Sequence, residues 1–220
     1  MPSFVYFDIE TTGLDPLADE FKCAVFERDR EVVSFTDIDT MVRFILECPP
    51  DCVFVTFNGA GFDWRFIVAK VADVRTKAQL CQICLRRHVD IMLDFLCHFG
   101  YRASMASFGV ELGQAKTWDG ASAAEADADI ADVIAYCAND VVVLRTIHEA
   151  GRKNGWLRRR TNGGKVQAWG LVAPEAFRMV HECVDVVEVM PPDQGWMTSK
   201  VNIASVTAWC APCFEAVVGT

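Results

Sequence analysis

A chain of 220 residues with 52% hydrophobic content carries enough apolar side chains for one cored domain, or one domain with a modest extension, and is not expected to be disordered. No stretch approaches the roughly 18 to 20 consecutive apolar residues of a membrane span, and Met1-Pro2-Ser3 leads into a strand-like run without a basic leader, so a non-membrane, cytoplasmic protein is expected. The formal charge of -9 speaks against a uniformly basic nucleic-acid surface, but the charge is uneven. Residues 1 to 140 hold 12 Lys/Arg against 23 Asp/Glu, a net of -11, whereas residues 141 to 220 hold 9 against 7, a net of +2.

In chain order, Phe4 to Ile9 is an almost unbroken β-favouring apolar run, as expected of a central strand covered on both faces. Lys22 to Phe26 and Glu31 to Phe35 are shorter strands joined by the polar Glu27-Arg28-Asp29-Arg30, which suggests a hairpin or meander. Thr40 to Glu47 has helical spacing and ends at Pro49-Pro50. Cys52 to Phe57 reads as another buried strand, Asn58-Gly59 as a turn and Phe62 to Val71 as a helix. From there to residue 129 the pattern weakens. His88 to Phe95 suits a strand end leading into a helix, Ser104 to Leu112 a short helix closed by Gly113, and Ala121 to Asp129 a small, acidic loop whose last residue caps the next helix.

From Ile130 onward Val133, Ile134, Cys137, Val141 and Leu144 mark a long amphipathic helix. Trp156 to Arg160 and Lys165 to Trp169 flank Asn162-Gly163-Gly164, a hairpin signal. Strands first, then alternating strands and helices, give an α/β fold with a mixed sheet: a core over residues 1–150 and a C-terminal extension over 151–220 built of a basic hairpin and a helix. The ten cysteines are scattered, often within apolar stretches such as Tyr136-Cys137-Ala138, where a free thiol acts as a small hydrophobe.

Three carboxylate placements carry chemistry. Asp8 and Glu10, two apart at the end of the first strand, project from one face and need a positive partner, for which an oxygen-seeking divalent cation is suited. Asp63 follows the mouth of the second buried strand, next to a helix start, and approaches Asp8 if both strands share a sheet. Tyr136 and Asp140 are four apart and stack at the margin of the long helix's apolar stripe. Singly each has a bland reading: a common tripeptide, a helix-dipole carboxylate, an exposed helical Asp.

As an ordered set they say more. Phe7-Asp8-Ile9-Glu10-Thr11-Thr12-Gly13-Leu14, Phe57-Asn58-Gly59-Ala60-Gly61-Phe62-Asp63 and Tyr136-Cys137-Ala138-Asn139-Asp140 together resemble the DEDD superfamily of 3′-to-5′ exonucleases, which has a ribonuclease H-like fold. The tyrosine subclass is the fit, because the position five before Asp140 is Ala135 where the histidine subclass has His. That subclass includes the proofreading domains of family B DNA polymerases. The resemblance implies two divalent cations, Mg²⁺ or Mn²⁺, held by Asp8, Glu10, Asp63 and Asp140, with Tyr136 orienting the attacking water. It implies that Thr11, Gly13, Leu14, Asn58 and Phe62 grip the terminal nucleotide, Leu14 wedging between the last bases. The substrate would be the 3′ end of single-stranded DNA, favoured over RNA, and a replication or repair complex is a candidate partner.

Between Glu149 and Glu175 no acidic residue occurs, and Arg158, Arg159 and Arg160 on the hairpin form a candidate phosphate-contacting patch with Trp156 or Trp169 as stacking faces, or else a solvated face. Cys81-X-X-Cys84 and Cys210-X-X-Cys213, with His88, are set aside as a zinc site because the pairs lie far apart in the chain. Asp90, Asp94, Asp127, Asp129 and Asp132 are assigned to helix capping and solvent exposure. Two rivals remain: a haloacid dehalogenase-like phosphatase, suggested by Phe-Asp-Ile-Glu-Thr-Thr but opposed by Glu10 and the Tyr136/Asp140 pair, and an inert nucleic-acid-binding or polymerase-associated module.

Overall fold

The computed structural model describes residues 2–114, 129–171 and 177–212. Its centre is a mixed five-stranded sheet in the order β3-β2-β1-β4-β5, formed by β1 (Phe4–Thr11), β2 (Phe21–Arg28), β3 (Glu31–Phe35), β4 (Val53–Thr56) and β5 (His88–Asp90). The meander β1-β2-β3 is antiparallel, whereas β4 and β5 run parallel to β1. Seven described helices flank it: α1 (Ile38–Glu47), α2 (Asp63–Lys70), α3 (Val74–Arg86), α4 (Ile91–Phe99), α5 (Met105–Gly109), α6 (Ile130–Asn154) and α7 (Val180–Val189). A separate two-stranded hairpin joins β6 (Trp156–Arg160) to β7 (Val166–Gly170).

The alternation of β1 decides which side each residue serves. Val5, Phe7 and Ile9 pack with α1, α2 and α3, where Phe7 stacks on Phe26 and meets Phe54 and Trp64 edge-on. Tyr6 faces the other layer with Val133, Cys137, Val141 and Leu144 of α6. Asp8 and Glu10 continue the Tyr6 side, toward α6. The β1–β2 register shifts between Glu10 and Thr11, so the strand bends just past its second carboxylate.

The start and end signals behave as their chemistry dictates. Asp129 caps α6 by accepting from the Ala131 amide, and Gly155 closes it with φ of 70°, which lets the chain turn directly into β6. Asp90 caps α4, and Gly113 follows the short turn Val110–Leu112. The helix expected over Phe62 to Val71 runs from Asp63 to Lys70, with Phe62 as its cap. The acidic loop from Ala121 lies outside the described residues apart from Asp129, and Asp127 lies outside them too. No described helix is long and apolar enough to cross a membrane.

Two expectations are corrected. Asp90 does cap a helix, but it and Asp94 are buried and not solvent-exposed: Asp90 receives the amides of Asn58, Ala60 and Leu93, and Asp94 pairs with Arg178 at 3.1 Å. Burial raises both carboxyls, Asp94 to about 6 even with Arg178 beside it. The sequence distance between the motifs is also misleading, because Cys210 joins Cys81 and Cys84 in one core cluster, although zinc stays set aside. The described cysteines are buried free thiols, and Cys213 lies outside the described residues.

Candidate active site

The site forms where β1 and β4 diverge. Their pairing ends at Tyr6 and Val55, and beyond it Asp63 takes over: its carboxylate accepts the Ile9 amide at 3.2 Å, one residue along from Asp8. Asp63 is buried at the first turn of α2, and burial, with Asp90 nearby, pushes its carboxyl up.

Asp8 and Glu10 meet α6 from the sheet side. One ligand atom each from Asp8, Glu10 and Cys137 lie within 4.8 Å of one another. Cys137 donates its thiol to the Asp8 carbonyl at 3.2 Å and lies 3.8 Å from Asp8 Oδ2. Burial, then Cys23 and the Asp8 charge, push that thiol well above its ordinary value, in keeping with the S–H it donates to Asp8. In the sequence Cys137 reads as a core residue only. The signal that could have found it is its place between Tyr136 and Asp140.

Tyr136 and Asp140 are both buried on the same stretch of α6. Asp140 shares an open cleft of about 310 Å³ with Asp8, Phe57, Asn58, Met92, Arg102, Ala103 and Met105. The donor set fits a hard divalent cation, since carboxylate oxygens of Asp8 and Glu10 lie within 4.8 Å of each other beside Cys137, and the Asp140 carboxylate lines the adjoining cleft with Asp8.

The loop from Asn58 to Phe62 is held from several sides. Asn58 adopts φ of 73°, a left-handed conformation that Asn tolerates better than most residues. Asp90 receives its amide and that of Ala60, and Thr56 Oγ1 receives that of Gly59. A Cβ on Gly59 would collide with Thr56 Oγ1, so this close approach requires glycine. The Trp209 indole donates to the Ala60 carbonyl at 2.9 Å, which brings the C-terminal segment onto the same loop.

The other predicted contacts scatter more. Thr11 is buried and donates to the Gly13 carbonyl at 2.6 Å, while a Cβ on Gly13 would strike the Asp19 carboxylate. Leu14 is 81% exposed beside them. Phe62 packs partly buried near Phe66. On the hairpin, Arg159 donates to Tyr101 and Gln167, and Arg160 forms an ion pair with Glu111 at 2.6 Å, so both are engaged within the protein. Arg158 lies over the half-exposed Trp156 on the outer face. Trp169 is buried against Phe95 and Phe177, a packing residue.

The RNase_H superfamily model matches residues 5–151, two-thirds of the sequence. The chain belongs to the RNase_H superfamily. Membership, together with the antiparallel β1-β2-β3 meander, sets aside the phosphatase alternative. Among solved structures, this RNase_H member is similar to the family B DNA polymerase of the hyperthermophilic archaeon Pyrobaculum calidifontis, at 18% identity and TM-score 0.49, over 69% of this chain and 24% of that one. It is also similar to E. coli exonuclease I in complex with a dA16 oligonucleotide, at 12% identity and TM-score 0.40, over 69% of this chain and 41% of that one. For exonuclease I of Methylocaldum szegediense the values are 13%, 0.38, 70% and 44%. The chain thus spans under half of each of these proteins. No curated protein sequence matches it.

Proposed function

We propose that the chain is a 3′-to-5′ exonuclease of the DEDD tyrosine subclass that removes nucleoside monophosphates from single-stranded DNA, in preference to RNA, with two divalent cations, Mg²⁺ or Mn²⁺. The observation that carries this reading is the convergence of Asp8 and Glu10 from β1 with the α6 edge bearing Tyr136, Cys137 and Asp140. The preference for DNA rests on the resemblance of the three motifs to family B proofreading domains. Residues 1–150 would form the nuclease core and 151–220 an extension supporting it.

Asp8, Glu10, Asp63 and Asp140 would hold the cations. When bound, these would supply Lewis acidity and neutralise charge on the phosphate under attack. Tyr136 orients the attacking water through its hydroxyl, since a phenol of ordinary pKa near 10 is a poor base at neutral pH. Leu14, exposed beside Thr11 and Gly13, is available to wedge against the terminal base. The Asn58 loop, fixed by Asp90, Thr56 and Trp209, keeps Asp63 and the cleft wall in register.

The test is end-labelled single-stranded DNA and RNA with Mg²⁺ or Mn²⁺, comparing wild type with Asp8→Ala. Stepwise shortening from the 3′ end that vanishes in the variant is expected, with DNA cut faster. Activity retained by Asp8→Ala would defeat the assignment.

A further inference from the structure

Without bound metal, the cleft holding Asp8 and Asp140 would repel a polyanionic strand unless a basic side chain also lines it. Arg102 is that side chain among its described lining residues. Its position is built from two sides. On one, its guanidinium donates to Asn58 Oδ1 at 3.1 Å, and Asn58 is itself fixed through its amide by the buried Asp90. On the other, the preceding Tyr101 is anchored to the hairpin: its hydroxyl donates to Gln167 at 2.7 Å and accepts from Arg159 at 2.9 Å. Arg102 itself is exposed, and beyond the donor given to Asn58 its guanidinium has further N–H groups to offer a ligand in the cleft.

We propose that Arg102 binds the non-bridging oxygens of the strand's 3′-terminal phosphodiester, with Asn58 as the rest that aims its guanidinium. The inference deepens the exonuclease reading and rests on it. A planar guanidinium suits this task because it offers parallel donors to two phosphate oxygens at once. The hairpin arginines then have a different part from the one their sequence suggests: Arg159 supports the loop that presents Arg102.

Fluorescence anisotropy of a 5′-labelled oligothymidylate, in EDTA so that no cleavage intervenes, tests this directly. The proteins are wild type, Arg102→Gln and Arg102→Lys. The strands are all-phosphate or carry one neutral methylphosphonate at the 3′-terminal linkage. Arg102→Gln should weaken the all-phosphate strand about tenfold, Arg102→Lys should recover part of that, and the methylphosphonate strand should bind wild type and Arg102→Gln alike. Equal binding of the all-phosphate strand by wild type and Arg102→Gln overturns the proposal. So does a deficit that persists on the methylphosphonate strand, or a wild type that binds neither strand. Separately, wild type that shortens DNA yet shows no Arg102 effect leaves the nuclease reading standing, while binding through Arg102 without any shortening defeats that reading alone.

Discussion

Cys137 on α6 donates its thiol to the main-chain carbonyl of Asp8 on β1, at 3.2 Å and across 129 positions of sequence. The bond ties the helix edge to the strand end at the point where the acidic groups converge. Cys137→Ala should stay folded but lose about tenfold in cleavage rate, the scale of losing a group that orients a metal ligand, and Cys137→Ser should keep most of the rate. Single-turnover cleavage read beside a urea midpoint checks it. An unchanged rate in the alanine variant would remove Cys137 from the site.

A phenol of ordinary pKa near 10 is protonated near neutrality and suits a role in orienting water, the role proposed for Tyr136. Tyr136→Phe should therefore slow cleavage by about 10- to 100-fold while leaving Mn²⁺ affinity unchanged. Calorimetry that finds the affinity lost would reassign the residue from the water to the cation.

Glu27 of β2 is 2% exposed and pairs with Arg145 of α6, which pins the helix to the sheet one turn beyond Asp140. Arg145→Met leaves a buried carboxylate without its partner and should cost about 3–5 kcal/mol of stability. The double change Glu27→Met/Arg145→Met should recover most of that loss. Urea unfolding of the three proteins decides it, and a double variant as weak as the single one contradicts the account.

His148 is buried and bonded to the Tyr6 hydroxyl at 3.1 Å, and burial lowers its pKa to about 3. The sign comes from linkage. The unfolded chain takes up a proton near pH 6.5 that the folded chain refuses, so stability is fully present above pH 6.5 and is lost as pH falls through the window down to about 3. The stability gap between wild type and His148→Gln should shrink by about 2 kcal/mol from pH 7 to pH 5. His88, likewise lowered to about 3, keeps the same sign in both proteins, and the raised Asp94 opposes it in both, so the difference isolates His148. Equal pH slopes in the two proteins would show His148 free to protonate in the fold.

Much of the fold was legible because periodicity and chemistry agreed. The apolar run of β1, the helical spacing of α6 with Asp129 before it, and the Asn-Gly-Gly hairpin each state their structure locally. Helix α3 escapes a reading by pattern because its buried face mixes Ala78, Cys81 and Cys84 with only Leu80 and Ile83 as strong apolar markers, although Asp73 and Thr76 form its cap. In the site, strand alternation was enough to put Asp8 and Glu10 on one face. The partners of Asp90, Asp94 and Arg102 were not legible, since each is supplied by a loop or a distant residue: Asn58 and Ala60 to Asp90, Arg178 to Asp94, Asn58 to Arg102. Arg158, Arg159 and Arg160 mislead for the opposite reason. A run of like charge suggests one common task, yet alternation along β6 sends Arg159 inward to Tyr101 and leaves Arg158 over Trp156 on the outer face.

The indole of Trp209 reaches back to the carbonyl of Ala60, so the tail and the second acidic motif share a hydrogen bond although 149 positions separate them. Trimming this chain to the stretch that aligns with its superfamily would yield a protein with all the proposed ligands and a slack Asn58 loop. Minimal-fragment strategies should retain at least the segment through Cys210, so that the strut Trp209 places against the Asn58 loop is kept.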